Sequence, residues 1–420
     1  MQPELLQPEQ LSPRLRWEKL FGFLPAWPEP GPIRGRKPIA RQCLVKALIY
    51  QRLRRLRFLT DLHAQLLEQP FILAALGLDP YQRPPSLERF SAFLADEPHQ
   101  PLEQMRIELV DGLRRLGLIR GQHLGLDSCP VASWVRENNL KSALRRRRYD
   151  KETPPQADPD ARLGVRIHYP NPGQTQLDYF WGYRNHTLAD LESELPVWEI
   201  TEPNSVSEVS VAMTLLQTAQ QHFQLPILSV SADAEYDTDK ILNHVVHTLG
   251  AKPFIPYNPR NAQDQRGFRR DGLAVYCPAQ LPMHRHGRMT VKGISYVQYR
   301  CPFYEGPRPA LLLCPVSHPK FTGQKGCNYL WRTSANLRDQ IPYGSQEFKQ
   351  HYNRRSGIER IFSRLLALTI QEPSVHGLNS VRNHCTISHL AVLLVALAAH
   401  QLGQQDKIRF VRTFVPNFLS

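Results

Sequence analysis

Apolar residues recur at helical spacing through the first part of the chain. From Ile39 to about Leu118 they return every three or four positions, which predicts a helical N-terminal domain over residues 35–118. One broad apolar face of this region is predicted to contain Leu44, Ala47, Leu48, Leu56, Leu59, Leu62 and Leu66. Residues 1–34 are rich in proline and predict a loose arm with one short helix.

The pattern then changes to one that predicts strands. Short apolar runs lead up to Asp127 in HLGLDSCPV and to Asp233 in ILSVSADAEYD, and both are typical of buried strands. RLGVRIHY and QLDYFWGYRNHTLAD predict a hairpin, PVWEIT a further strand, and SVSEVSVAMTLLQTAQQHF a helix. This order predicts an α/β core in two parts, residues 119–257 and residues 341–420.

Two segments interrupt this predicted core. Residues 133–160 contain four consecutive arginines, Arg145–Arg148, followed by prolines and acids, which favours a partly ordered insertion. Residues 258–340 alternate aromatic and aliphatic side chains and predict a strand-rich inserted subdomain. After it, an apolar stretch over residues 379–403 predicts a helix that closes the core.

The charge balance of the chain indicates the kind of partner it binds. The chain has 52 Lys and Arg against 38 Asp and Glu, giving a net charge of +14 and a pI near 9.6. This favours a polyanionic partner such as nucleic acid, although ribosome-associated and membrane-surface proteins are basic too. Arg52, Arg54, Arg55 and Arg57 cluster on one predicted helix, where solvated side chains and DNA contacts fit the pattern equally well.

The sequence also predicts a compartment. The start lacks a signal-peptide pattern, and the apolar run Leu390–Ala399 is too short to cross a bilayer. Seven cysteines, an odd number, favour a reducing environment. We therefore expect a soluble cytoplasmic protein without membrane association.

The segment YNRRSGIERIFSRL, residues 352–365, predicts one amphipathic helix with candidate chemistry. Tyr352, Arg355 and Glu359 fall within an arc of about 60° on a helix. The adjoining apolar stripe consists of Ile358, Ile361, Phe362 and Leu365. Such a helix packs on a core and presents one carboxylate flanked by an arginine and a phenol, with Asp127 and Asp233 as upstream partner acids.

These three segments resemble the Asp-Asp-Glu (DDE) triad of bacterial insertion-sequence transposases with an RNase H-like core. The last segment resembles that group's signature of Tyr, two residues, Arg, three residues, Glu, six residues, Lys. Tyr352, Arg355 and Glu359 match it, whereas Leu366 holds the lysine position, and Arg364 lies about 160° away around the helix. GYRNHTLAD and ADPDARLG extend the resemblance over about residues 35–400.

The resemblance implies an RNase H-like catalytic core with a mostly β insertion before the glutamate. It also implies that the N-terminal helices serve DNA binding or dimerisation. Two divalent ions about 3.5–4 Å apart catalyse phosphoryl transfer in such sites, and Mg²⁺ or Mn²⁺ takes carboxylate ligands. Under the resemblance Asp127 bridges both ions, while Asp233 and Glu359 each bind mainly one.

Each predicted ligand also has a plainer interpretation. An aspartate at the end of a strand is often a helix cap or turn former, and Glu235 and Asp237 are near competitors of Asp233. They are expected to cap local turns, or to contact the metal ligands without binding the metal themselves.

The resemblance also implies DNA contacts by Tyr352, Arg355, Arg360 and Trp331. For Arg355 the alternative is an i, i+4 ion pair with Glu359, worth only about 0.3–0.5 kcal/mol. For Trp331 the alternative to stacking on a flipped base is core packing.

A structural zinc site is a further possibility in the predicted insertion. Cys277, Cys301, Cys314 and Cys327 lie there with His284, His286 and His318 nearby. The gaps between the cysteines are 24, 13 and 13, and no CxxC knuckle occurs. Buried thiols without metal are the alternative.

The resemblance predicts a DNA transposase that acts on double-stranded DNA, namely the terminal inverted repeats of its element and a target. Two ends must be cut in concert, which predicts a homodimer or a higher synaptic multimer, associated with the bacterial nucleoid. One alternative is an RNase H-like nuclease or resolvase without strand transfer. The other is an inactive DNA-binding repressor, and the replacement of the signature lysine by Leu366 is compatible with it.

Overall fold

The computed structural model describes residues 13–28, 39–135, 153–168, 170–171, 173–258, 267–271, 274–291, 293–303, 314–317, 326–333 and 335–411. The chain divides into two compact units, which we name the core unit (Met1–Ile255 with Ser345–Ser420) and the inserted unit (Pro256–Gly344). The predicted arm is described only over residues 13–28, and Arg145–Arg148 lie outside the described residues.

Six helices precede the first strand of the core unit. They are α1 (Pro13–Gly22), α2 (Arg41–Leu53), α3 (Leu59–Glu68), α4 (Pro70–Leu76), α5 (Leu87–Asp96) and α6 (Gln100–Arg115). The predicted apolar face is largely confirmed, because Leu44, Leu48 and Leu62 are buried. It is divided over α2 and α3, since α2 ends at Leu53 and α3 begins at Leu59.

The predicted exposed arginine cluster is wrong for one member. Arg52 is buried, and its Nη2 lies 2.7 Å from Nδ1 of His384. Burial lowers the pKa of Arg52 to about 10. This guanidinium is therefore neither solvated nor available to DNA.

A six-stranded mixed sheet forms the centre of the core unit. Its strands are β1 (His123–Ala132), β2 (Arg162–His168), β3 (Gln176–Asp190), β4 (Leu195–Pro203), β5 (Ser229–Ser231) and β6 (Lys252–Phe254). The order is β2-β3-β1-β5-β6, with β4 also paired to β3. β3 is antiparallel to β1, β2 and β4, whereas β1–β5 and β5–β6 are parallel. Antiparallel strands followed by parallel ones on the other side of β1 are the RNase H-like arrangement that the sequence predicted.

Gly182 fixes how closely β1 and β3 approach. It lies opposite Ala132 in the register of the two strands. A Cβ atom added there would stand 2.2 Å from the Val131 carbonyl oxygen and 2.9 Å from the Ser133 nitrogen. Any side chain would push the strands apart, so the glycine of GYRNHTLAD preserves the ladder that carries Asp127.

Helices pack around this sheet. α7 (Glu208–Phe223) links β4 to β5, and the short α8 (Asp239–Asn243) leads towards β6. α9 (Gln346–Asn353), α10 (Ser356–Ala367) and α11 (Leu378–Gln401) follow the inserted unit. The helix predicted over residues 379–403 is thus confirmed as α11, which contacts α2, α5, α6 and β4.

α11 is apolar enough to resemble a membrane span. It is the one helix among the described residues whose length and composition would suffice. Its most apolar 18-residue window is 89% buried inside the protein, which is the property of a core helix.

The predicted single helix over residues 352–365 is wrong. α9 ends at Asn353 and α10 begins at Ser356, with Arg354 and Arg355 between them. Tyr352 is therefore on α9 and Glu359 on α10, while Arg355 stands at the junction. The break places Arg355 where its side chain reaches the sheet.

The inserted unit contains short antiparallel strands in its described residues. β7 (Arg269–Asp271) pairs with β8 (Ala274–Tyr276), and β10 (Ile294–Arg300) lies between β9 (His284–Val291) and β11 (Asn328–Arg332). Their small core buries Val275, Met283, Val297, Tyr299 and three of the cysteines.

The cysteines of the inserted unit act as apolar packing groups. Cys277, Cys301 and Cys327 are buried in the hydrophobic cluster, and Cys314 packs against it. Within the described parts of the chain, no three His, Cys, Asp or Glu side chains are placed to hold a metal ion. The described contacts thus give the zinc hypothesis no support, and His318 lies outside the described residues.

Candidate active site

One of the predicted acids lies on β1, and a second follows β5, the neighbouring parallel strand. Asp127 is in the middle of β1, opposite Thr187 of β3, rather than at a strand end as the sequence predicted. Asp233 follows β5 and caps a short 3₁₀ helix, where its Oδ1 accepts a hydrogen bond from the Glu235 amide at 2.9 Å. Because β1 and β5 are hydrogen-bonded neighbours, both carboxylates belong to one region of the sheet.

The helix that carries Tyr352 is fixed to the sheet edge by aromatic rings. The His351 ring stacks on Phe254 of β6 with centroids 4.2 Å apart and an angle of 5°. His351 also lies 5.5 Å from the His123 ring of β1, and Phe348 lies 5.9 Å from Phe254. These contacts set the position of the α9–α10 junction beside Asp127.

The third acid, Glu359, is on the exposed side of the first turn of α10. Ile358, Ile361 and Leu365 are fully buried on the opposite side, which confirms the predicted apolar stripe. The side chain of Glu359 is 58% exposed. α10 contacts β1. This short helix therefore has one buried face and one exposed face, and the exposed face carries Glu359.

Arg355 joins two of the three acids. Its Nη1 donates to Oδ2 of Asp127 at 2.8 Å, and its Nη2 donates to Oε1 of Glu359 at 2.8 Å. The i, i+4 pair with Glu359, given above as the alternative to a DNA contact, is thus present. The second bond, to Asp127, is one that helix geometry alone does not predict.

The electrostatics around Asp127 are those of a crowded acidic site. Burial raises the pKa of Asp127 to about 6, and Asp233 and Glu208 raise it as well. A hydrogen bond from the Ser128 amide at 2.8 Å and the Arg355 charge act in the opposite direction. The carboxylate is therefore stabilised by any added positive charge.

Glu208 is a nearby acid that the sequence reasoning missed. It stands at the start of α7, forms a 2.8 Å ion pair with Arg184, and accepts a hydrogen bond from Tyr236. The Ser128 hydroxyl donates to Glu208 at 3.4 Å. Glu208 is 81 positions from Asp127 and has no motif around it, so its only signal was its place in the first turn of a predicted helix.

The other predicted DNA contacts have protein partners. Tyr352 stacks on Phe348, and the Arg355 guanidinium carbon lies 5.7 Å from the Tyr352 ring centroid. Arg360 donates to Glu194 at 2.8 Å but is 56% exposed. In the inserted unit, Trp331 packs against the hydrophobic cluster, its ring 6.1 Å from that of Tyr299.

Two further expectations concern the neighbours of the acids. Leu366, at the signature lysine position, is 44% exposed, so no cation is supplied from that point of α10. Arg364 is buried and faces Glu194 at 3.7 Å, which agrees with its exclusion as a substitute. Glu235 is exposed and Asp237 is fully buried.

The donor chemistry fits a hard divalent cation. Asp127, Asp233 and Glu359 offer only carboxylate oxygens, the ligands that Mg²⁺ and Mn²⁺ prefer. A cationic group, Arg355, already sits between two of them. Within the described residues, Asp127, Asp233 and Glu359 are not placed as a three-ligand metal group, and Arg355 holds one oxygen of Asp127 and one of Glu359.

Comparison with protein families identifies the class. The family described as Transposase DDE domain matches residues 164–394, more than half of the 420 residues. The chain therefore belongs to this transposase family, as the resemblance predicted. The matched range contains Asp233 and Glu359 and begins after Asp127.

Two other comparisons add little. No curated protein matches the sequence. A cryo-EM structure of a piggyBac transposase synaptic complex with hairpin DNA is similar, with a TM-score of 0.40 and 10% identity. That similarity covers 97% of this chain and 79% of the other, but it is too weak to support an inference.

Proposed function

We propose that this protein is a DNA transposase of the insertion-sequence type, which cuts the ends of its element and joins them to target DNA. The observation that carries the proposal is that Asp127 and Glu359 bind one guanidinium, while Asp233 follows the strand next to that of Asp127. These residues are 232 positions apart at the extremes, and they are carried by β1, by the turn after β5 and by α10.

Asp127, Asp233 and Glu359 would hold the metal, either Mg²⁺ or Mn²⁺. The bound ions would activate the attacking oxygen and stabilise the departing one at phosphorus. The chain's own part is to keep the carboxylates in place: β1 and its ladder to β3 hold Asp127, the 3₁₀ helix holds Asp233, and the buried face of α10 holds Glu359.

DNA is the proposed substrate and partner. The net charge of +14 suits a polyanion, and the exposed guanidinium of Arg360 lies next to Glu359 in the chain. Concerted cutting of two inverted repeats would need a dimer or larger synaptic assembly, in the bacterial cytoplasm. We assign the chain to the particular group with the Tyr-Arg-Glu-Lys signature because Tyr352, Arg355 and Glu359 match it. Leu366, at the lysine position, does not match.

The test is a joining assay. Full-length protein is incubated with Mg²⁺, duplexes carrying the inverted repeats that flank its gene, and a supercoiled target. A transposase gives joined products, a nuclease gives cuts alone, and a repressor binds without cutting. Asp127→Asn, Asp233→Asn and Glu359→Gln are each expected to lose at least about a thousandfold in cleavage while retaining DNA binding, because transition-state charge stabilisation is lost.

Glu68→Gln is the matched control. Like the other variants it exchanges a carboxylate for an amide, but Glu68 is exposed at the end of α3, and cleavage within about threefold of wild type is expected. Cleavage retained by the Asp127 or Glu359 variant would refute the proposed mechanism.

A further inference from the structure

Arg355 occupies the place of a cation among the acids. Both oxygens of Asp127 are engaged, Oδ1 by the Ser128 amide and Oδ2 by Arg355 Nη1, each at 2.8 Å. The same guanidinium takes Oε1 of Glu359. A divalent ion that binds Asp127 through Oδ2 must therefore displace Arg355, because like charges cannot share one oxygen at contact distance without strong repulsion.

The position of Arg355 in the chain makes such a displacement feasible. It lies at the junction between α9 and α10 rather than inside either helix. Its guanidinium carbon also lies 5.7 Å from the Tyr352 ring centroid, and its side chain is 18% exposed. The side chain can turn about the junction without removing a buried residue of either helix.

We propose that Arg355 is an exchangeable placeholder for the metal, and that a DNA phosphate draws it away from Asp127 and Glu359. A guanidinium binds phosphate through two parallel hydrogen bonds, as it binds two carboxylates here. DNA thereby frees the acids for metal, and metal frees Arg355 for DNA. The two ligands bind cooperatively, which keeps an idle enzyme from holding a loaded metal site. This inference rests on the proposed function, which supplies DNA as the ligand.

The decisive measurement is Mn²⁺ affinity of the full chain without DNA, by titration calorimetry or by the EPR signal of free Mn²⁺. Arg355→Gln is expected to bind Mn²⁺ at least about tenfold more tightly than wild type, because a positive charge leaves the site. The control Arg354→Gln removes the same charge from an exposed neighbour, and its affinity should stay within about twofold of wild type.

A second measurement on the wild-type protein tests the exchange directly. Adding a short duplex should raise Mn²⁺ affinity, and Mn²⁺ should raise duplex affinity by the same factor, since linkage is reciprocal. In Arg355→Gln both factors should fall close to one. Cleavage should fall in the same variant, so that tighter metal binding accompanies weaker activity, which a purely structural arginine would not produce.

The outcomes separate the two proposals. Unchanged Mn²⁺ affinity in Arg355→Gln, with wild-type cleavage that still needs Asp127, overturns the placeholder and leaves the transposase proposal standing. Mn²⁺ binding that is insensitive to Asp127→Asn and Glu359→Gln, together with no cleavage, overturns the proposed function itself. If Arg355→Gln does not fold, Arg355→Met, which also removes the charge, serves instead, and an affinity equal to wild type would overturn the inference.

Discussion

At the scale of single residues, Glu194 organises the far side of α10. Its carboxylate is 10% exposed and meets three guanidiniums: Arg360 at 2.8 Å, Arg409 at 3.3 Å and Arg364 at 3.7 Å. The residue has a φ of 56°, in the left-handed region that side chains other than glycine rarely adopt. The ion cluster holds this strained turn and, through Arg360 and Arg364, the orientation of the helix that carries Glu359.

Glu194→Gln should therefore destabilise the protein. Removing the charge leaves three arginines without their shared partner, and Arg364 is buried. We expect a loss of about 2 kcal/mol in the free energy of unfolding, less than the full cost of breaking a buried pair because Arg360 and Arg409 are partly exposed. Urea unfolding measures this loss.

The control for this prediction is Glu192→Gln. Glu192 faces Arg120 at 3.8 Å, and the Arg120 side chain is 65% exposed, so a loss below about 1 kcal/mol is expected. Equal losses in the two variants would mean that Glu194 contributes no more than a surface charge.

The sequence predicted which elements carry the three candidate acids better than it predicted which side chains they contact. Asp127, Asp233 and Glu359 were identified from strand and helix patterns and from the resemblance. The Arg355–Asp127 bond joins positions 228 apart, and no local pattern encodes such a contact. Arg52 likewise looked like part of an exposed basic cluster, because periodicity does not show that a helix distant in sequence, here with His384, covers it.

At the scale of elements, the break between α9 and α10 shows the limits of the helical pattern. The apolar spacing of Ile358, Ile361 and Leu365 predicted α10 correctly, and it runs on smoothly from Tyr352. The break comes from tertiary packing instead: α9 is held against β6 by the stacked rings of His351 and Phe254, whereas α10 packs on β1. Two different surfaces require two helix axes.

A buried ion pair joins another pair of elements, α6 and β4. Arg106 Nη1 donates to Glu199 Oε1 at 2.8 Å, and the two side chains are 1% and 2% exposed. The Arg106 guanidinium carbon also lies 4.0 Å from the Trp198 ring centroid. The Thr386 hydroxyl on α11 donates to the same Glu199 oxygen at 2.6 Å, so three elements meet at one carboxylate.

Arg106→Met is expected to destabilise the protein by about 3–5 kcal/mol, because Glu199 would keep a buried charge without its partner. Arg106→Met combined with Glu199→Gln should cost less than the sum of the single changes, with a coupling of about 1–3 kcal/mol. Urea unfolding of the four proteins of the double-mutant cycle gives this coupling.

The Arg114–Asp111 pair on α6 provides the control cycle. It is partly exposed, with side chains 27% and 40% accessible, and its coupling should stay below about 0.5 kcal/mol. A coupling of Arg106 to Glu199 as small as this would show that the buried pair does not join the elements.

At the scale of the whole molecule, buried neutral histidines make stability depend on pH. Burial lowers the pKa of His389 to about 4 and that of His186 to about 3, against an ordinary value near 6.5. Between pH 6.5 and 4 the unfolded chain binds protons that the folded chain does not. The contribution of these histidines to stability is therefore complete above pH 6.5 and is lost as pH falls, by up to about 1.4 kcal/mol per pH unit for each histidine.

His389→Gln should flatten this dependence. Nε2 of His389 lies 3.0 Å from Oδ1 of Asn185, and a glutamine amide can donate the same hydrogen bond without titrating. Urea unfolding at several pH values should give a slope smaller by up to about 1.4 kcal/mol per pH unit between pH 6.5 and 4. The exposed control His247→Gln should keep the wild-type slope, and a His389→Gln slope equal to wild type would contradict the account.

The charge of the whole molecule leads to the last prediction, on DNA affinity and salt. A net charge of +14 is spread over many side chains, and arginines near α10 such as Arg360 and Arg409 remain 56% and 41% exposed. If about five to eight phosphates are neutralised, the logarithm of duplex affinity should fall with the logarithm of salt at a slope of about −4 to −7. Fluorescence anisotropy between about 50 and 200 mM salt measures this slope. Arg360→Gln should reduce the slope by about one, whereas Arg14→Gln, which removes an equal charge from α1, should leave it unchanged. A wild-type slope near zero would show that the positive charge of this chain does not serve DNA binding.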